Sequence, residues 1–243
     1  MRRILILLLA LIAETANLFG QEDDRKNTIY LNFTNRLIFN DAYIIGYERV
    51  LKPNRTFSVN IGTISLPRAT DKGNNDSVQL LGSSGNKGFH ISADYRFYLS
   101  KENKYEAPRG VYLGPYYAFN YAERANHWNL NTSTFNGGVD TKMSLSIHTV
   151  GLQFGYQFVL WERLALDFAL LGPGLGVYNV KASINTNLSE EQKELFYEKL
   201  NSFLEEKIPG YDRVIDEGEF IEKGSTNTTS FGYRYMINIG YRF

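Results

Sequence analysis

The amino-acid sequence predicts an all-β fold: an eight-stranded, antiparallel, up-and-down transmembrane β-barrel with an amphipathic helix in its last outer loop. Three observations predict it. Segments of roughly ten residues alternate apolar and polar side chains with a period of two. The chain of 243 residues carries 17 tyrosines and 16 phenylalanines, yet no stretch approaches a transmembrane helix. It ends on Tyr241-Arg242-Phe243, the aromatic finish of an apolar-faced strand.

The first twenty residues read as a secretory signal. Arg2 and Arg3 precede an unbroken apolar run from Ile4 to Ile12. Such a run is too short to cross a bilayer as a helix, which needs about 20 residues. Cleavage is expected after Gly20, where QEDDRKN turns abruptly polar, although Leu18 is larger than the residue usually found three before the cut. The barrel domain then spans 21–243. The chain has no cysteine, which excludes lipoprotein attachment and disulfides. Its 26 basic and 26 acidic residues balance, and the first twenty remove only two bases and one acid. That leaves no basic stripe for nucleic acid.

The strands follow in order. Ile29, Leu31 and Phe33 alternate with Tyr30, Asn32 and Thr34, and Tyr43, Ile45 and Tyr47 with Ile44, Gly46 and Glu48. Phe57, Val59 and Ile61 oppose Ser58, Asn60 and Gly62; Phe89, Ile91, Ala93, Tyr95 and Phe97 oppose His90, Ser92, Asp94 and Arg96. Val111, Leu113, Tyr117 and Phe119 oppose Tyr112, Gly114, Tyr116 and Asn120. Val150 to Phe158 sets aliphatic and aromatic residues against Gly151, Gln153, Gly155 and Gln157. Leu164, Leu166, Phe168 and Leu170 oppose Ala165, Asp167 and Ala169, and Gly172-Pro173-Gly174 should bend or bulge the chain. Phe231 to Phe243 completes the set, with seven apolar side chains on one face and Arg234, Asn238, Arg242 and two glycines on the other.

An even number of strands allows closure, which lipid demands because an open edge would leave backbone groups unsatisfied. In such a barrel the apolar face looks outward and the polar or small face fills the interior. With a periplasmic N-terminus, the inner connections are Lys52 to Arg55, Ser100 to Arg109 and Trp161 to Arg163. The outer ones are Asn40-Asp41, Ser65 to Lys87, Ala122 to Ser146, and a long loop over 179–229. Short inside and mostly long outside is the bacterial pattern. The last outer loop holds a helix over 189–208: Ser189 and Gln192 can form a capping box, Pro209-Gly210 supplies a stop, and Leu195, Phe196, Leu200, Phe203, Leu204 and Ile208 make an apolar stripe. Its polar face is mostly acidic, which argues against anchoring on anionic lipid.

Certain runs carry a resemblance: Gly110-Val-Tyr-Leu-Gly-Pro-Tyr-Tyr117, Gly151-Leu-Gln-Phe-Gly-Tyr-Gln157 and Leu170-Leu-Gly-Pro-Gly-Leu-Gly176. The chain resembles the small outer-membrane barrels of the outer-membrane-protein-A and -X type, and more closely the barrel proteins of unassigned function common in the Bacteroidetes. The resemblance implies a Gram-negative outer membrane and implies no chemistry. Tyr241 and Phe243 resemble the C-terminal signal read by the barrel-assembly machinery, a second expected partner beside outer-membrane lipid. A ligand of the outer loops is a further expectation.

For the interior, the sequence predicts a charge network of Glu48, Asp94, Arg96, Asp167 and Arg242, all on the polar phase of their strands, with Asp167 and Arg242 the favoured couple. An unpaired charge in a narrow, poorly hydrated interior would cost several kcal/mol. His90 and Ser92 form an H-x-S pair like that of a lipid A deacylase barrel, but their phase turns them inward, away from lipid. Three dispersed histidines and no cysteine argue against a metal site, and no cofactor is called for. Asn32-Phe-Thr, Asn131-Thr-Ser and Asn227-Thr-Thr match a glycosylation acceptor pattern that is incidental in a bacterial barrel. The expected role is structural or surface-interacting and non-catalytic. The alternatives are a lipid-modifying enzyme using His90 and Ser92, a small pore or lipid-binding barrel, and a secreted soluble β-protein.

Overall fold

A computed structural model describes residues 25–34, 42–66, 78–131, 136–207, 221 and 224–243. The signal segment, its cleavage point, the Asn40-Asp41 turn and Pro209-Gly210 lie outside the described residues. The elements are β1 (Asn27–Asn32), β2 (Tyr43–Lys52), β3 (Arg55–Thr63), β4 (Val78–Tyr98), β5 (Gly110–Asn131), β6 (Asn136–Leu160), β7 (Leu164–Leu171), β8 (Pro173–Ile184), α1 (Glu190–Lys207), β9 (Ser225–Tyr233) and β10 (Met236–Arg242).

Every pairing is antiparallel, and the order β5-β4-β3-β2-β1-β10-β7-β6 returns to β5, so the sheet closes in a ring of eight strands. β8 and β9 continue the lines of β7 and β10. β6 pairs with β7 at one end and with β8 at the other, and β8 then pairs with β9. The bend at Gly172 is real: Leu170 and Leu171 both face outward, the β6 register shifts beside them, and the Arg234 N–H bonds the Gly172 carbonyl at 2.7 Å. Both ends of the described chain meet, Asn27 and Phe243 exchanging backbone hydrogen bonds at 3.0 and 2.8 Å.

At the end that holds the termini the connections are short. Lys52 and Arg55 flank the β2–β3 turn. The β6–β7 turn places Trp161 and Glu162 at φ of 48° and 60°, a left-handed pair closed by the Arg163 N–H on the Leu160 carbonyl at 3.1 Å. A two-residue hairpin needs this geometry, normally supplied by Asn-Gly. The 99–109 segment folds back over the ring, its Ala107 N–H on the Pro53 carbonyl at 2.7 Å.

Near the termini the apolar residues face outward and the polar ones inward, as the alternation predicts. Toward the other end the phase inverts. On β5, outward Val111, Leu113, Tyr117, Phe119 and Tyr121 give way to Glu123, His127 and Asn129, while the inward side changes from Tyr112 and Tyr116 to Ala122, Trp128 and Leu130. The strands therefore run on through stretches expected to be loops: β4 begins at Val78, β5 and β6 continue to Asn131 and Asn136, β8 reaches Ile184 and β9 starts at Ser225. These extensions have an apolar inner face because something packs against it. α1 does so, burying Phe196 and Leu200 against Trp128, Leu130, Val139 and Ala182. Both capping-box hydrogen bonds form, Ser189 N–H to Gln192 Oε1 at 3.0 Å and Gln192 N–H to Ser189 Oγ at 3.3 Å.

Candidate functional site

The inward positions of β1, β2, β4, β5, β6, β7 and β10 converge on the Arg96 guanidinium. Its Nε donates to Asp94 at 2.5 Å, Nη2 to Asp167 at 3.1 Å, and Nη1 to Glu48 at 3.3 Å and Gln157 at 3.2 Å. A second arginine, Arg234, donates through Nη2 to Asp94 at 3.2 Å and Ser92 at 3.3 Å. Each carboxylate has neutral donors as well. Glu48 accepts from Tyr30 at 2.6 Å and Thr56 at 2.7 Å, Asp167 from Tyr112 at 2.7 Å and Asn238 at 2.8 Å, and Asp94 from Gln153 at 2.9 Å. Gln157 bridges the groups, donating to the Tyr30 hydroxyl and accepting from Tyr98, both at 2.7 Å.

Burial explains this density of contacts. Away from water a carboxylate or guanidinium costs several kcal/mol unless partnered on every side. Here three carboxylates share two guanidiniums, so the hydroxyls and amides must absorb the remaining negative charge. The tyrosine rings add area and hold the arginines, Arg96 lying 4.6 Å over Tyr112 and Arg234 5.0 Å over Tyr116. The Tyr112 ring crosses its register partner on β6, which has to be glycine: a Cβ on Gly155 would strike the Tyr112 hydroxyl.

Of the predicted network, Glu48, Asp94, Arg96 and Asp167 come together. The residue in register with Asp167 is Asn238, and the arginine on Asp167 is Arg96; Arg242 lies further along β10, in register with Thr28. Matched height on adjacent strands suggested the Asp167–Arg242 couple, but a side chain as long as arginine reaches across the ring, and Arg96 arrives from β4. Arg234, Tyr30, Tyr98, Tyr112 and Gln157 were not among the predicted members. All occupy inward phase positions, which was the available signal; aromatic rings count as apolar in an alternation pattern, so their hydroxyls were invisible to it.

His90 and Ser92 also face inward. Ser92 Oγ lies 3.0 Å from His90 Nε2, and His90 Nδ1 lies 2.7 Å from Asn120 Oδ1. Asn60 at 3.2 Å and Arg234 approach the same oxygen. Ser92 is 1% exposed.

The outer side of the ring carries a second polar group beyond its apolar belt. Glu123 of β5 accepts from Lys142 at 2.9 Å and from Tyr121 at 2.7 Å, with Lys87 at 3.3 Å. These hydrogen bonds hold its carboxyl down at about 2. Further along, His127 Nδ1 meets Asp140 at 2.5 Å.

No family model matches the chain. No curated protein matches it either. Among solved structures, the chain is similar to a major outer membrane protein from Thermus thermophilus at 12% identity and a TM-score of 0.39, covering 90% of this chain and 98% of that one.

Proposed function

We propose that this chain is a transmembrane β-barrel of a Gram-negative outer membrane, with a structural or surface-interaction role, a plugged interior and no catalytic activity. One observation carries the reading: a closed ring whose large apolar side chains face outward all round. Ile29, Leu31, Ile45, Phe57, Ile61, Ile91, Tyr117, Leu152, Phe158, Leu170 and Ile239 are all exposed. A protein in water does not expose a continuous belt of this size. On β6 the outward apolar residues run from Leu160 to Val150, about 34 Å of strand at ~3.4 Å per residue. At a tilt of about 40° this stands roughly 26 Å tall, close to the ~25 Å apolar band of outer-membrane barrels. The mostly long-strand end then faces outward from the cell, the termini lie in the periplasm, and α1 belongs to the last outer loop. Tyr241 and Phe243 serve as the strand signal for the assembly machinery.

The filled interior favours this reading over a pore, since eight strands leave room only for side chains. It also weighs against an enzyme. Asn120, His90 and Ser92 are spaced like an orienter, base and nucleophile, but the serine is buried inside, where lipid cannot reach it.

Membrane fractionation, with gel mobility compared before and after boiling, tests the barrel. The unboiled protein should sit in the outer-membrane fraction and migrate anomalously. A soluble protein of unchanged mobility refutes the reading. A steady conductance in planar bilayers refutes the plug, and labelling of Ser92 by a fluorophosphonate refutes the non-catalytic assignment.

A further inference from the structure

Beyond the apolar belt, the outer face of β4, β5, β6, β8 and β9 has a composition that water alone does not require. Register places Lys181 of β8 beside Ser144 of β6 and Ser225 of β9, and Lys142 of β6 beside Ser183 of β8. Lys142 and Lys181 are thus diagonal neighbours on one face, a separation of about 7–8 Å that long side chains span readily. Ser144 also stands beside Glu123, which in turn stands beside Lys87. Below these lie Ser146 and Asn179, paired with each other, and Asn227. The patch therefore holds three ammoniums and two carboxylates, Glu123 and, two residues along β6 from Lys142, Asp140, in a field of hydroxyls and amides.

Its height matters as much as its composition. Glu123 comes two positions after Tyr121, and Lys87 two positions before Phe89, the aromatic residues that end the continuous outward belt of their strands, with Leu81 exposed again further along β4. Two residues of tilted strand rise about 5 Å, and the four from Val177 to Lys181 about 10 Å. The polar headgroup layer occupies roughly the first 5–8 Å beyond the hydrocarbon. Lysines reach back several ångströms toward a phosphate while keeping the ammonium in the polar layer. Glu123 engages both Lys142 and Lys87, and Lys181 makes no ion pair among the described residues, so the patch keeps a positive excess.

We propose that this face binds the phosphates of an anionic lipid headgroup in the leaflet it meets, with Lys142 and Lys181 as the paired cations and Ser144, Ser183 and Ser225 as hydroxyl partners. The inference rests on the transmembrane reading above. Charge complementarity selects the ligand, since ammoniums flanked by hydroxyls match a phosphate or phosphorylated sugar and gain less from a zwitterion, whose phosphate already carries its own cation.

The test uses the full folded chain in detergent, with retained lipid counted by native mass spectrometry. Three probes are offered: a diphosphorylated glucosamine lipid, phosphatidylcholine, and inorganic phosphate. The phosphorylated lipid should be retained, and Lys142→Gln with Lys181→Gln should lower its retention roughly tenfold, while Lys199→Gln on α1 leaves it unchanged. Heat-modified mobility, read on the same samples, reports insertion and folding separately. A chain that never shows the mobility shift defeats the transmembrane reading itself. A normally folded chain that retains phosphatidylcholine equally, binds inorganic phosphate as strongly as the lipid, or ignores the double substitution defeats this proposal alone.

Discussion

Arg96 is the residue on which the interior depends. Replacing it by glutamine leaves Asp94 with Arg234 and takes from Glu48 and Asp167 the guanidinium that joins them. Breaking a buried pair in this way costs about 3–5 kcal/mol, so urea unfolding from lipid vesicles should find Arg96→Gln strongly destabilised. Combined with Asp167→Asn, the two losses should be non-additive, because each removes part of the same contact; strict additivity would count against the network. Gly155→Ala should cost about 1–3 kcal/mol by displacing Tyr112 from Asp167. Outside the belt, Glu123 titrates at about 2 where an ordinary glutamate stands at 4.5. The sign follows from a depressed acid: its stabilising contribution is complete above pH 4.5 and is lost as pH falls through about 2. A carboxyl carbon resonance for Glu123 should report that midpoint, and Lys142→Gln should move it upward.

At the scale of elements, the alternation of apolar and polar residues located the half of each strand whose apolar face looks outward and underestimated the remainder. Sequence reasoning looked for an outward apolar face, and the upper reaches of β4, β5, β6, β8 and β9 have the opposite polarity. Trp128, Leu130 and Val139 fall within the connection expected from Ala122 to Ser146 and form instead the inner face of a continuing sheet. The helix was legible at its capping box and in Phe196 and Leu200 of its apolar stripe, but not the surface that receives it. Leu200→Ala should open a cavity between α1 and Trp128, at a cost of about 2–4 kcal/mol. The ring does not depend on that contact, so the variant should keep its heat-modified mobility while a protease cuts near residues 190–207 faster than in the parent. Equal cutting rates would mean that α1 is held by something other than its buried pair.

For the whole molecule, closure was readable because an even set of strands with one apolar face, read as lipid-facing, has nowhere to leave an edge. The long reach of side chains across a narrow interior was not readable, since strand phase gives direction without reach. The last strand joins both aspects: β10 closes the ring against β1, and its terminal Phe243 exchanges backbone hydrogen bonds with Asn27. Deleting Phe243 should lower the inserted fraction, scored by band shift in membranes from cells making either chain. Full insertion of the shortened chain would separate closure from the terminal aromatic residue.

The inversion of polarity along β5 and β6 makes these two strands a ruler that is written in parity. Two residues inserted into each at the boundary would raise the outer hairpin by one full pleat and leave every side chain on its own side. A single residue inserted into each would turn Trp128, Leu130 and Val139 toward the surroundings and send His127 and Asn129 toward α1. The same length of strand would then be built from the same residues, yet the outer half would lose its reason to fold. Natural length variation in this hairpin should therefore come in even steps.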